Sequence, residues 1–162
     1  MFRKVMLTAA AGLPLLLAAG TAMAKTDKSF ISDAVKGDNS EVSLGKLAVS
    51  KGASKGVRDF GQSLEADHAK ARRQAVAVAT RMGVTPPTGM KDEAKSERQK
   101  LEKLSGSAFD REFARYMVED HKKDIEEFTD EARHGGQRVS KLAKMQLPTL
   151  KKHLKMAEKL SK

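Results

Sequence analysis

Residues 54–83, SKGVRDFGQSLEADHAKARRQAVAVATRMG, decide the fold. At 100° per residue, Val57, Gly61, Leu64, Ala75, Ala79 and Met82 all fall within about 40° of one line, and His68 lies on that same line. The pattern is a long amphipathic helix with a histidine on its apolar stripe. Ser54 is a capping residue at the start, Gly83 a stop signal at the end, and Pro86-Pro87 forbid continuation.

Working outward, apolar residues recur at helical spacing along the rest of the chain, with no sustained alternation of period two. The spacing predicts a first long helix over Asp27–Lys51, closed by the Gly52-Ala53-Ser54 turn. The quoted helix comes second. A charged short helix near Asp92–Leu104 follows, closed by Ser105-Gly106. A third long helix runs from about Ser107 to the Gly135-Gly136 pair, and a fourth over Gln137–Leu160. Four long helices, each about 40 Å at 1.5 Å per residue, predict an all-α four-helix bundle with a long connection containing a short helix between the second and third. The tight first and last turns make those pairs antiparallel. The connection over 84–106 is long enough to run back along the bundle, which would give ferritin-like topology; up-down-up-down order is equally compatible with its length.

The 162 residues contain no cysteine, which excludes disulfide scaffolds, thiolate metal sites and thiol catalysis, leaving His, Asp and Glu for metal or proton chemistry. Residues 1–24 read as an export signal: Arg3 and Lys4, then the apolar stretch Val5–Ala19, then Ala22-Met23-Ala24 as a small-x-small cleavage site. That stretch falls short of the roughly 20 residues a membrane span needs, and Gly12 and Pro14 interrupt it. The expectation is therefore one exported domain over 25–162, in a bacterial periplasm, without a transmembrane segment.

The core stripes of the four long helices each carry one polar residue. Ala114, Met117, Ile125, Phe128 and Ala132 surround His121; Val139, Leu142, Ala157 and Leu160 surround His153; Phe30, Ala34, Leu44, Gly45 and Ala48 bracket Glu41. Counted from the turns, Glu41, His68, His121 and His153 all fall near mid-bundle, with mismatches of about 5 Å. Four unpartnered polar groups in an apolar interior would each cost about 2 kcal/mol or more, so they satisfy one another or a ligand. Three readings follow: a divalent transition metal (Zn, Cu, Fe or Mn) held by Glu41, His68, His121 and His153; a structural polar cluster; or a histidine switch.

Glu65, Asp67 and Asp120 are candidates to orient those ligands from outside. Glu65 and His68 have the Glu-x-x-His spacing of di-iron carboxylate bundles, but Val118 and Leu150 stand where the counterparts would be, which disfavours that centre. A short internal repeat, Phe60-x6-Asp67-His68-x-Lys70 and Phe113-x6-Asp120-His121-x-Lys123, links the second and third long helices. His134, beside Gly135, belongs with a helix C-terminus. Pro148 should bend the last helix one turn before His153.

Several of these residues together carry a family likeness. Phe30-x3-Ala34, Glu41-x-x-Leu44-Gly45-x-x-Ala48, Asp67-His68, Gly83-Val84-x-Pro86, Leu104-Ser105-Gly106-x-x-Phe109-Asp110, His121 and Leu147-Pro148-x-Leu150-x-x-His153 resemble the domain-of-unknown-function family numbered 4142. These are ferritin-like exported bacterial proteins that often carry an outer-membrane label. The resemblance spans essentially all of residues 25–162. It implies a ferritin-like bundle and export, and it brings no reaction. A chain without barrel strands would meet the outer membrane only peripherally.

The net charge of +10 is unevenly spread: residues 25–136 hold 21 basic and 20 acidic residues, whereas 137–162 hold eight basic and one acidic. Lys144, Lys151, Lys155 and Lys162 project opposite His153, a basic outer face that suits solvation or an anionic envelope surface. Nucleic acid is disfavoured as a partner by export, by a single Tyr and no Trp, and by the lack of a nucleic-acid motif. No nucleophile triad or phosphate loop is present. Two functions remain: a metal-binding exported bundle, or a non-enzymatic envelope or stress-related interaction protein whose core cluster is structural.

Overall fold

A computed structural model describes residues 26–162; the expected export signal lies outside the described residues. The chain is all-helical, with α1 (Asp27–Lys51), α2 (Lys55–Arg81), the short α3 (Asp92–Glu102), α4 (Gly106–His134) and α5 (Gln137–Leu160), and no strand among the described residues. Ser54 caps α2 by accepting from the Val57 N–H, and Thr26 caps α1 by accepting from Ser29. Gly83 ends α2 at φ 68°, a left-handed conformation that lets the Val84 N–H reach back to the Ala79 carbonyl at 2.9 Å. Among the described residues, no helix is long and apolar enough to cross a membrane.

Side-chain hydrogen bonds fix the helix directions that connection length left open. Asp110, early in α4, accepts from the Ala53 and Ser54 N–H groups of the α1–α2 turn at 2.8 Å each. Asp27, at the start of α1, accepts from the Gly136 N–H of the α4–α5 turn at 3.1 Å. The starts of α2 and α4 therefore share one end and run parallel, so the connection over 82–105 returns along the whole length. Along the way it is pinned to α1, where Asn39 Nδ2 donates to the Pro87 and Gly89 carbonyls and Ser40 Oγ accepts from the Lys91 N–H.

α2 packs on α1 and on α5, whereas α1 and α4 meet only sparingly and are bridged by α3. The α1–α2 approach depends on a glycine pair: a Cβ on Gly45 would lie 2.7 Å from the Gly61 carbonyl oxygen, and the reverse distance is the same. Apolar packing divides into two halves. One gathers Phe30, Ile31, Val35, Ala79, Phe128 and Leu142. The other gathers Leu44, Phe60, Leu64, Phe109, Phe113 and Met117, with Leu101 of α3 closing it. The boundary between them, read along each long helix, falls at Asp38–Glu41, His68, His121–Asp124 and His153. Pro148 sits within α5 on its exposed side.

Candidate metal centre

His68, His121 and His153 come from three helices, and all are buried, at 4%, 1% and 0% exposure. One ring nitrogen from each lies within 4.8 Å of the others. Ring centroids are 5.3 Å apart for His68–His153, 5.5 Å for His121–His153 and 6.0 Å for His68–His121. An ion about 2.0–2.1 Å from three imidazole nitrogens at tetrahedral angles would place the centroids roughly 5 Å apart. The rings thus stand close to a ligating arrangement, a few tenths of an ångström to 1 Å too open.

The tautomers are fixed from outside the cluster. His68 Nδ1 donates to Asp38 Oδ1 at 2.9 Å, His121 Nδ1 to the Met117 carbonyl at 2.9 Å, and His153 Nε2 to Asp67 Oδ2 at 2.9 Å. A carbonyl can only accept, so the outer nitrogen of His121 carries the proton and its inner nitrogen a lone pair. The inner atoms, His68 Nε2, His121 Nε2 and His153 Nδ1, have no hydrogen-bond partner. Burial holds the His121 ring down to about 3, helped by the neighbouring His68 and His153, and holds His153 down to about 4 despite its bond to Asp67. Those two rings are neutral at pH 7, the state in which imidazole binds metal.

Asp67 accepts from His153 of α5 and from Lys152. Burial alone would raise its pKa, but hydrogen bonds from Lys152 and His153 outweigh burial and lower it. Asp38, 5% exposed, plays the same part for His68 and was missed by the sequence reading, which took Glu41 as the acid of that stripe. Its signal was present: Asp38 lies three residues before Glu41, one turn away on the same face. Glu65 is elsewhere, in a surface ion pair with Lys46 at 3.8 Å. His134 is exposed beside Asp130 at the end of α4.

Glu41 does not join the three histidines in one mutually close set; it gathers instead with Asp120 and His121, within 4.8 Å. The physical reason is helix adjacency. α2 and α5 touch, drawing their histidines onto His121, whereas α1 stands back from α4, so its carboxylate faces Asp120 across the wider gap. Stripe direction and height do not encode which helices are neighbours. Asp120 therefore faces Glu41 rather than orienting a histidine. Glu41 is 1% exposed, and burial together with the Asp120 charge raises its pKa well above the ordinary carboxylate value.

Fold and site together define an all-helical domain with a buried three-histidine constellation whose inner nitrogens are open. The chain belongs to the family described as Domain of unknown function (DUF4142), which matches residues 14–160. In fold it is similar to a structure titled "Crystal structure of DUF305 fragment from Deinococcus radiodurans", with a TM-score of 0.73 and 17% sequence identity, covering 83% of this chain and 93% of that one. No curated protein matches the chain.

Proposed function

We propose that this is an exported, ferritin-like four-helix bundle that binds one divalent transition metal through His68, His121 and His153. The observation that carries the reading is the set of three buried inner nitrogens without partners, each on a ring whose other nitrogen is anchored. A purely structural cluster would turn those nitrogens toward one another or toward donors; orphaned, they cost about 1–3 kcal/mol each. Metal-ligating histidines characteristically donate the second ring N–H to a carboxylate or carbonyl, as all three do here. The Asp38 and Asp67 carboxylates supply two negative charges to set against a divalent ion. Nitrogen donors suit Zn, Cu or Fe more than Mn, and three protein ligands leave a coordination position open to water.

Access would be from the α2–α5 side, where a cavity of about 100 Å³ reaches His68 between Asp67, Gln146 and Leu150. The exposed Lys144, Lys151, Lys155 and Lys162 would meet an anionic envelope surface, a part of the proposal tested by loss of anionic-vesicle binding when all four become Gln. The metal reading is tested by elemental analysis after refolding with Zn, Cu, Fe or Mn. The wild type should retain one ion per chain and His68→Ala should not; absence of stoichiometric metal in the wild type would overturn it.

A further inference from the structure

The carboxylate side of the polar layer holds a second unexplained group. Glu41 is almost wholly buried, and no protein N–H or hydroxyl donor reaches either of its oxygens; the group that faces it is a second carboxyl, Asp120, bonded to it only when the two share a proton. Its neighbours in the layer each accept at least one donor: Asp38 receives His68 at Oδ1, Asp67 receives His153 and Lys152, and Asp124 receives Lys91. Two carboxyls facing each other in a buried layer are costly, and a cation between them would offset that cost.

Both remaining members of its set come from α4, Asp120 and His121. Asp120 also lines a cavity of about 510 Å³ in which acids outnumber the lysines Lys36, Lys91, Lys95 and Lys123; Glu41 does not line it, so a cation would approach Glu41 past Asp120 through a net acidic mouth. That mouth already favours cations. Lys91 lays its stem over Gly37, where a Cβ would come within 3.2 Å of Cε, and places Nζ 2.9 Å from Asp124 Oδ1. Burial would lower the Lys91 pKa, but Asp124 and Asp120 overcome it and raise it.

The internal repeat gives the arrangement a counterpart. Asp67 reaches from α2 to His153 of α5, and its equivalent Asp120 faces Glu41 of α1 from α4. One half of the molecule thus presents an imidazole where the other presents a carboxyl.

We propose that Glu41 and Asp120 form a second cation position, oxygen-donating and suited to a hard divalent ion such as Mn²⁺, beside the three-histidine site. His121 stands in the wall between the two. Its Nδ1 is committed to the Met117 carbonyl, so its Nε2 serves one ion only. With the histidine site filled, the second ion rests on the two carboxylates and water, a donor set that favours Mn²⁺, Mg²⁺ or Ca²⁺ over softer metals.

The experiment counts bound Mn²⁺ by loss of the free-ion electron paramagnetic resonance signal, in protein first loaded with Zn²⁺ and, separately, in a His68→Ala/His153→Ala variant that keeps Glu41, Asp120 and His121. Both should bind about one Mn²⁺, and adding Glu41→Gln or Asp120→Asn should weaken that binding by at least about tenfold. Glu41→Gln is close in shape and removes a buried charge, so its thermal midpoint should not fall, which separates lost binding from lost folding. If the double-histidine variant does not fold, the Zn²⁺-loaded arm decides alone. Mn²⁺ binding that is absent, or indifferent to Glu41→Gln, overturns the proposal. Mn²⁺ uptake without any Zn²⁺ uptake would instead overturn the histidine site and leave this one standing.

Discussion

A buried imidazole has two nitrogens, and all three histidines of the core divide them alike: one to a protein acceptor, the other inward. Asp38→Asn keeps the shape but weakens the grip on His68 and its tautomer, so metal affinity should fall about 10–100-fold by competition with a chelator, with the helical circular-dichroism signal retained. The same rings set a pH dependence. His121 and His153 are neutral when folded, with pKa values of about 3 and 4 against 6.5 for an exposed ring. Between about 4 and 6.5 the unfolded chain therefore binds more protons, and stability present above 6.5 is lost as pH falls through that window, by up to about 1.4 kcal/mol per pH unit per histidine. Glu41, with its raised pKa, works in the opposite sense, losing its contribution as pH rises above the ordinary carboxylate range. The histidine contribution is isolated by difference: between pH 7 and pH 5 the thermal midpoint of metal-free wild type should fall further than that of a His121→Gln/His153→Gln variant, because the carboxyls with raised pKa, Asp38, Glu41 and Glu97, are common to both chains. The three histidines were legible from periodicity alone, since a polar residue inside an apolar stripe is conspicuous. Asp38 was less so, because two acids one turn apart compete for the same face and only the ring that arrives from α2 selects between them.

At the scale of elements, capping chemistry and glycine stops wrote most boundaries into the chain. Asp27–Lys51 and Gln137–Leu160 were predicted with the ends observed, and Ser54 and Gly83 bracket α2 as expected. α3 ends at Glu102 rather than near Leu104, and α4 begins at Gly106, one residue early. Direction was not legible. A connection of some twenty residues can cross the molecule or fold back, and what decides is the pairing of Asp110 with one turn and Asp27 with the other, contacts between residues 56 to 109 positions apart. Nor could the sequence show that Gly45 and Gly61 face each other. Gly45→Ala forces a methyl to within 2.7 Å of a backbone oxygen, so the two helices must separate. Urea denaturation should show a loss of about 1–3 kcal/mol, and metal affinity should fall with it as His68 of α2 shifts against its partners on α4 and α5.

For the whole molecule, the polar layer between two apolar halves is the organising feature. Ligands that bind the folded chain alone add stability by mass action, about 2.7 kcal/mol at a hundredfold excess over the dissociation constant. On the proposed reading the metal-free fold, with its orphaned nitrogens and buried carboxyls, is the less stable form, and an ion would complete it. Most of the net positive charge lies on the exposed side of α5, while the layer sets five acids, Asp38, Glu41, Asp67, Asp120 and Asp124, against the two ammonium groups of Lys91 and Lys152, a setting in which a cation is favoured. The central claim is that the inner nitrogens of His68, His121 and His153 hold an ion. X-ray absorption at the zinc edge of Zn²⁺-loaded, extensively dialysed protein tests it most directly: the account predicts one zinc per chain with three imidazole nitrogens at about 2.0–2.1 Å. Zinc removed by dialysis, or a shell of oxygen atoms without imidazole scattering, would contradict it.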